Sequence, residues 1–408
     1  MEEMGDPVSV GTELDRLHRP RPQWGLPGLT SALACLGALL RVWLANDDPA
    51  KVLLALILGT AALLGGYFLD ISFFARHPRA VYTGALAAGA LSLCLFPRVN
   101  NAVYYTLYIV LLYPVVYALW LYSCRGNTWR RFVLAIAGGI PLALVTMAAP
   151  SLFGLFRLLF CGLVLLLCAI QMGWFGPGRW KFAGTALALA AGIPSLFWGV
   201  GYGKAFAQRI YLALHPEADP KGAGYAGMVV KMFLQDVPAV RKWNDPFAAS
   251  VTMGTRGRLL YGSPLSGEKG YVEFSFGQEF MPLKLLAKFG WLVYLLLMAA
   301  IAVLLAWLMV CCLRQRQHLG RLTALAVVLS LGMETLFSTA LCLGFVFLPA
   351  HLPLMVGNIY TVLDMALIGL ALSVFRGGWI LRDELPAEKR RSIFPWRVKI
   401  SITSTKES

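Results

Sequence analysis

About ten stretches of the chain, each of roughly twenty residues, are almost continuously apolar, with short polar, basic or glycine-rich breaks between them. They run at about 25–46, 51–73, 80–97, 102–123, 131–149, 152–171, 181–201, 284–312, 321–348 and 353–376. A helix needs ~20 residues to cross the hydrocarbon core, where every backbone amide must be paired within the segment. The pattern therefore predicts an all-α polytopic membrane protein of about ten transmembrane helices. One break stands apart: residues 202–283, between the seventh and eighth stretches, form a single long connection. Its segments "AFAQRIYLAL" and "GYAGMVVKMFLQ" carry apolar residues at helical spacing beside basic ones. That pattern suits helices lying on a leaflet or packing on the bundle.

Composition agrees with the pattern: 58% of the 408 residues are hydrophobic and only 14% are charged. Arg and Lys gather in short cytoplasmic loops, so their placement orients the chain. With the N-terminus inside, the inner segments hold Arg16, Arg19 and Arg21, then Arg76 and Arg79, then Arg125, Arg130 and Arg131. Arg179 and Lys181, Arg314, Arg316 and Arg321, and a basic tail follow on the same side, whereas the short outer loops offer Lys51 and Arg98. Both termini are thus expected in the cytoplasm. The expected organisation is a cytoplasmic segment 1–24, helices 1–7 over 25–201, an extracytoplasmic loop 202–283, helices 8–10 over 284–376, and a basic tail 377–408. The net charge of +15 reads as orientation and attraction to anionic lipid in the bilayer, not as nucleic-acid binding. No cleavable leader is expected, because the first twenty-odd residues are polar. The eight cysteines lie in or beside the apolar stretches and offer neither a disulfide framework nor a CxxC metal pair.

The run "QRIYLALHPEADPKGAGY", Gln208 to Tyr225, resembles the start of the large extracytoplasmic loop of the SEDS family, the FtsW/RodA/SpoVE group. Gln208, Arg209, Ile210, Pro216, Glu217, Asp219, Pro220, Gly222, Gly224 and Tyr225 match its pattern at the same spacing. Gly254, Gly257, Gly262 and Gly267 resemble the glycines of the next block, and some nineteen residues around Leu234 to Thr252 read as an insertion. Counting back from Gly290, as in the family's DFIFAVLAEELG, puts Glu279 where the family keeps an essential aspartate. Further along the chain the resemblance keeps Asn101 and Pro114, Pro150 and Leu152, and Leu352 and Pro353.

The resemblance implies a bacterial cytoplasmic-membrane glycosyltransferase that polymerises lipid II into peptidoglycan strands during division, elongation or sporulation. The implied partners are lipid II itself and a class B penicillin-binding protein. In this chemistry a sugar hydroxyl attacks an anomeric carbon whose leaving group is a lipid pyrophosphate, which needs a base and positive charge. Glu279 beside an apolar span suits the base, and Arg256, Arg258 and Lys269 suit the phosphates, with Arg209, Glu217 and Asp219 completing the substrate-binding set. A divalent cation such as magnesium bridging the pyrophosphate fits the chemistry, but no metal-ligand spacing marks a site. The plainer reading of Glu279 is a solvated carboxylate, or one paired with Lys284 or Lys288.

Three ionisable positions of the family are replaced here by Val116, Leu119 and Ser151, and its polar hinge by "VGNIYT", Val356 to Thr361. A coherent apolar replacement would leave activity to the outer loop, while loss of chemistry would leave an inactive scaffold. Glu334 and Asp364 lie within apolar stretches, where a carboxylate faces the interior as a structural partner or a functional group. Glu334 is expected to make a structural hydrogen bond and Asp364 to stand in for the missing hinge groups. The same two carboxylates would serve a transporter or flippase of a lipid-linked precursor. A polymerase or ligase of other lipid-linked glycans shares the long outer loop. Arg41 and Arg157 sit close enough to span ends to snorkel towards water.

Overall fold

The computed structural model describes residues 25–44, 48–69, 74, 76–95, 102–149, 152–199, 202–220, 224–235, 237–240, 258–261, 272–275, 280–315, 317–348, 350–355 and 358–377. Helices occupy all ten apolar stretches. They are α1 (Gly25–Leu44), α2 (Pro49–Phe68), α3 (Pro78–Leu95), α4 (Ala102–Leu111), α5 (Tyr113–Ser123), α6 (Trp129–Ala137), α7 (Gly139–Ala148), α8 (Leu152–Gln171) and α9 (Arg179–Gly199). After the long connection come α13 (Trp291–Leu313), α14 (His318–Cys342) and α15 (Ile359–Gly377). Between them lie α10 (Tyr202–Leu214), α11 (Tyr225–Gln235) and α12 (Met281–Phe289). One antiparallel pair, β1 (Arg258–Tyr261) with β2 (Val272–Ser275), is the only strand structure among the described residues. Seven described helical stretches are long and apolar enough to cross a membrane, α6 and α7 together forming one of them. The protein is therefore an integral membrane protein of many helices.

The burial pattern is that of a bundle solvated by lipid. Leu53, Leu54, Ile57 and Leu58 of α2 and Leu292, Leu295, Leu296 and Val303 of α13 all face outward. In water such surface would be costly; against acyl chains it is not, and helices then associate by close packing. The α2–α15 pair shows how. A Cβ on Gly66 would stand 2.9 Å from the Leu370 amide nitrogen, and one on Gly369 would run into the backbone of Leu63. Any larger residue would push the two helices apart. At one end of the pair Ser373 donates to the Leu69 carbonyl and Arg376 donates to that of Phe68, closing the last turn of α2.

The fourth apolar stretch is broken, which the apolar pattern alone does not predict. Pro114 has no N–H to donate to the carbonyl of Val110, four residues earlier, so the ladder lapses and two helices, α4 and α5, replace one. The helices of the long connection also resolve differently from each other. α11 packs on the bundle: Val230 and Phe233 are buried with Phe280, Leu283, Leu286, Tyr294 and Leu341 in a second core beneath the connection. α10 leaves Ile210, Tyr211 and Leu214 exposed while burying Leu212 and Ala213.

The chain re-enters the bundle through Gly290, whose φ of 87° and ψ of −175° suit glycine alone. Its neighbours make the first helical residues of α13, whose amides have no partner within the helix. Pro238 and Ala239, just past α11, supply the carbonyls: Trp291 N donates to Pro238 O at 3.2 Å and Leu292 N to Ala239 O at 2.9 Å. The long connection thus caps the helix that it feeds.

Candidate functional site

Two polar constellations stand out, one on the face of the long connection and one inside the bundle. On the first, α10 ends at Leu214 and the chain turns through a short 3-10 segment, Pro216–Ala218, before α11. Pro216 is buried under the turn, and Gly224 closes it by donating from N to the Asp219 carbonyl at 3.2 Å. A Cβ on Gly224 would lie 2.8 Å from Asp219 O and closer still to Pro216 O, so only glycine fits. Gly227, one turn on, passes within similar reach of Pro216 and of Gly344 in the α14–α15 connection. Lys231 ties the same elements together: its Nζ donates to Leu214 O at 3.2 Å and lies 5.2 Å from the Phe345 ring centre.

This packing splits the family-like motif into two jobs. Pro216 and Gly224 build the turn, while Glu217 remains exposed on it and Arg209 exposed on α10 before it. Glu217 Oε1 is 3.2 Å from His215 Nδ1. Its own backbone amide, with His215 and Lys231 adding, holds its carboxyl below the usual carboxylate range. Asp219 is half-buried at the turn's end. Arg258 opens β1. Glu279, Arg256 and Lys269 lie outside the described residues, as do Asn101, Pro150, Ser151, Gly222 and most of the expected insertion. The residue after Glu279, Phe280, is buried in the second core, and Lys288 of α12 lies 4.1 Å from the Trp43 ring centre. Partial burial lowers the Lys288 pKa from its ordinary value.

Inside the bundle, Arg157 does not snorkel. It is 1% exposed and forms an ion pair with Glu334 of α14 through Nη1. Its Nη2 donates to Val110 O at 3.2 Å. That carbonyl is the one left without a helical partner by Pro114, so one guanidinium satisfies both a buried carboxylate and a broken helix. Glu334 is thus the acid of a buried ion pair and not merely a hydrogen-bonding group. Arg41 is buried as well, at 5% exposed, because α1 packs inward where the chain alone suggests an open end. Val116 and Leu119 are buried, Val116 within the main apolar core.

Asp364 of α15 is 1% exposed and lies within electrostatic reach of both Glu334 and Arg157. Its Oδ2 accepts from the amide of Leu354 at 3.0 Å. Leu354 has a φ of 65°, the only positive value at a non-glycine among the described residues. A bulky side chain resists that conformation, so the surroundings must hold it. Asp364 holds it from one side, and from the other a Cβ on Gly37 would be 2.5 Å from Leu354 O. Nearby, His351 packs against Tyr360 with ring centres 4.3 Å apart and planes tilted by 40°, its Nδ1 buried. Burial, with the Arg41 charge adding, pushes its pKa down to about 4. Arg157 and Lys231 are the residues that sequence reasoning misplaces or passes over; the signal for Arg157 was Pro114, which announces a spare carbonyl four residues upstream.

Among the described residues no group of three or more His, Cys, Asp or Glu gathers as a metal site. No protein-family profile matches the chain, and no curated protein matches its sequence. Solved structures do. A chain from a study of the coordination of polymerisation and crosslinking by a peptidoglycan synthase complex superposes with a TM-score of 0.64 at 19% identity, covering 88% of this chain and 99% of its own. The rod shape determining protein RodA of Thermus thermophilus gives 0.55 at 17% identity over 88% and 97%. A point mutant of that RodA gives 0.56 at 16% identity over 88% and 98%. At these identities the likeness is one of architecture, and this chain has the fold of RodA.

Proposed function

We propose that this chain is a SEDS-type peptidoglycan glycosyltransferase that polymerises lipid II beside a class B penicillin-binding protein, in cell elongation or shape. The observation that carries the reading is the turn from His215 to Tyr225. Pro216 and Gly224, two of the residues that match the family's loop motif, fold the turn here, on a chain with the RodA fold, and Arg209 and Glu217 are left exposed. Glu279 serves as the base for the attacking hydroxyl. Arg209, Arg256, Arg258 and Lys269 bind the pyrophosphate, with a divalent cation such as magnesium available to bridge it, and Glu217 and Asp219 orient the sugar. The connection then faces the extracytoplasmic side, with both termini in the cytoplasm. The partnering of Glu334 with Arg157 favours polymerisation over transport, because it commits that carboxylate to a fixed partner.

The test is lipid II polymerisation by the purified protein in liposomes with a class B partner, wild type against Glu279→Gln. Glycan product from the wild type that falls ~100-fold or more in the variant is expected for loss of a general base. Absence of product from a folded, partner-bound wild type would overturn the reading in favour of an inactive scaffold.

A further inference from the structure

At one end of the bundle two turns are locked together. The α5–α6 turn, 124–128, is tied to the α8–α9 turn, 172–178, by donation from Gly126 N to Trp174 O at 3.0 Å. Gly173, Gly176 and Gly178 take φ values of 78°, 111° and 104°, which lets the second turn fold back on the first. Beneath them Phe132, Phe175 and Phe182 form an aromatic core, with Trp129 stacked on Phe182 at 5.5 Å. The result is a rigid platform rather than a floppy basic segment.

Its outer side is cationic and aromatic. Arg130, Arg179 and Lys181 are exposed, Arg131 is partly so, and Trp180 is 90% exposed. The Arg131 side chain lies over Gly126, within 3.2 Å of where a Cβ would be, and an Arg179 Nη atom lies 3.5 Å from the same point on Gly173. The two guanidinium groups are therefore carried on the two halves of the joined turns. The chain has no Asp or Glu from residue 71 to residue 216, and none of the ion pairs among the described residues involves these cations. They also open α6 and α9, where cations meet the positive end of the helix dipole instead of being offset by it. Orientation needs positive charge at this end, but it needs neither a rigid platform nor an exposed tryptophan beside it. Interfacial tryptophan belongs at headgroup depth, and the forked guanidinium matches phosphate oxygens.

We propose that the paired turns 124–128 and 172–178 form a binding surface for the phosphate headgroup of an anionic phospholipid, gripped by Arg131 and Arg179 with Trp180 inserted at the interface. The site is separate from the long connection and does not depend on the activity proposed above.

The test uses the full chain, exchanged into micelles of phosphatidylcholine mixed with phosphatidylglycerol, with retained phosphatidylglycerol counted by mass spectrometry after delipidating washes. Arg131→Gln with Arg179→Gln is compared with Arg390→Gln with Arg391→Gln in the tail, which removes equal charge. The expected result is a loss of ~10-fold in retained lipid for the platform pair and little change for the tail pair. Equal losses would reduce the effect to diffuse attraction and overturn the site, as would no loss in either. Inorganic phosphate that protects the protein from thermal unfolding as well as phosphatidylglycerol would assign the surface to a soluble anion and overturn the lipid. Should the double variant fail to fold, Arg179→Gln alone, at an exposed position, carries the same comparison.

Discussion

The ionic groups inside the bundle and those on the turn before α11 behave in opposite ways. Arg157, Glu334 and Asp364 are all but inaccessible, and their contacts reach a broken helix at Val110 and a left-handed residue at Leu354. Glu217 stands exposed on a turn that glycine and proline already hold, and Arg209 stands exposed on α10, the helix that leads into it. A charge removed from water must be answered by a partner, so the first group is committed to the fold. A charge left in water owes the fold little, so the second is available to a substrate.

The largest effect should come from separating the buried pair. Arg157→Met leaves Glu334 without its partner and should cost about 3–5 kcal/mol, read as a fall in the thermal midpoint of the reconstituted protein. Adding Glu334→Met to the same chain should recover most of that loss. If the double variant is no better than the single one, the carbonyl of Val110, and not the carboxylate, is what the guanidinium serves.

Gly224→Ala should come next, at about 1–3 kcal/mol, because the new methyl meets Pro216 O and Asp219 O. The loss should be local: limited proteolysis between α10 and α11 should quicken while the bundle's unfolding midpoint moves little. Polymerisation should fall with it if the turn presents the site.

His351 gives a smaller, pH-dependent effect. Its folded pKa of about 4 lies below the ordinary value of 6.5, so the unfolded chain takes up the proton first. Stability is then fully present above about 6.5 and is lost as the pH falls towards about 4. His351→Gln should flatten the thermal midpoint across that window. A profile unchanged by the substitution would place the acid sensitivity elsewhere.

The smallest stability effects belong to the exposed charges. Glu217→Gln and Arg209→Gln should leave the thermal midpoint where it is at neutral pH and alter lipid II turnover alone. Because the Glu217 carboxyl is held below its usual range, its slight contribution exists above the unfolded carboxylate pKa and disappears as the pH falls through the folded one. A midpoint that drops in either variant would move that residue from the substrate's side of the comparison to the fold's.

Much of this was legible in the chain because lipid imposes a simple rule. Twenty apolar residues must be helical to satisfy their own amides, and each of the ten apolar stretches is helical in the structure. The run from Gln208 to Tyr225 was legible as a resemblance, but that Pro216 and Gly224 fold it into a turn was not, because Gly224 is required by its contacts with the Pro216 and Asp219 carbonyls. What pairs with what was not. Arg157 and Glu334 are 177 residues apart, and hydropathy cannot distinguish an arginine near a helix end that reaches water from one that meets a carboxylate. The α4–α5 break follows from Pro114, yet its rescue by a side chain of α8 depends on how two helices are placed side by side.

The sequence by itself determined the class and the helical segments, because those follow from short-range backbone chemistry and from the solvent that the chain is written for. Only the tertiary structure decided which charges are buried, that Leu354 is held left-handed between Gly37 and Asp364, and that α11 joins a second core while the residues just past it cap α13. Those outcomes depend on distances between residues far apart in the chain, which no local pattern encodes.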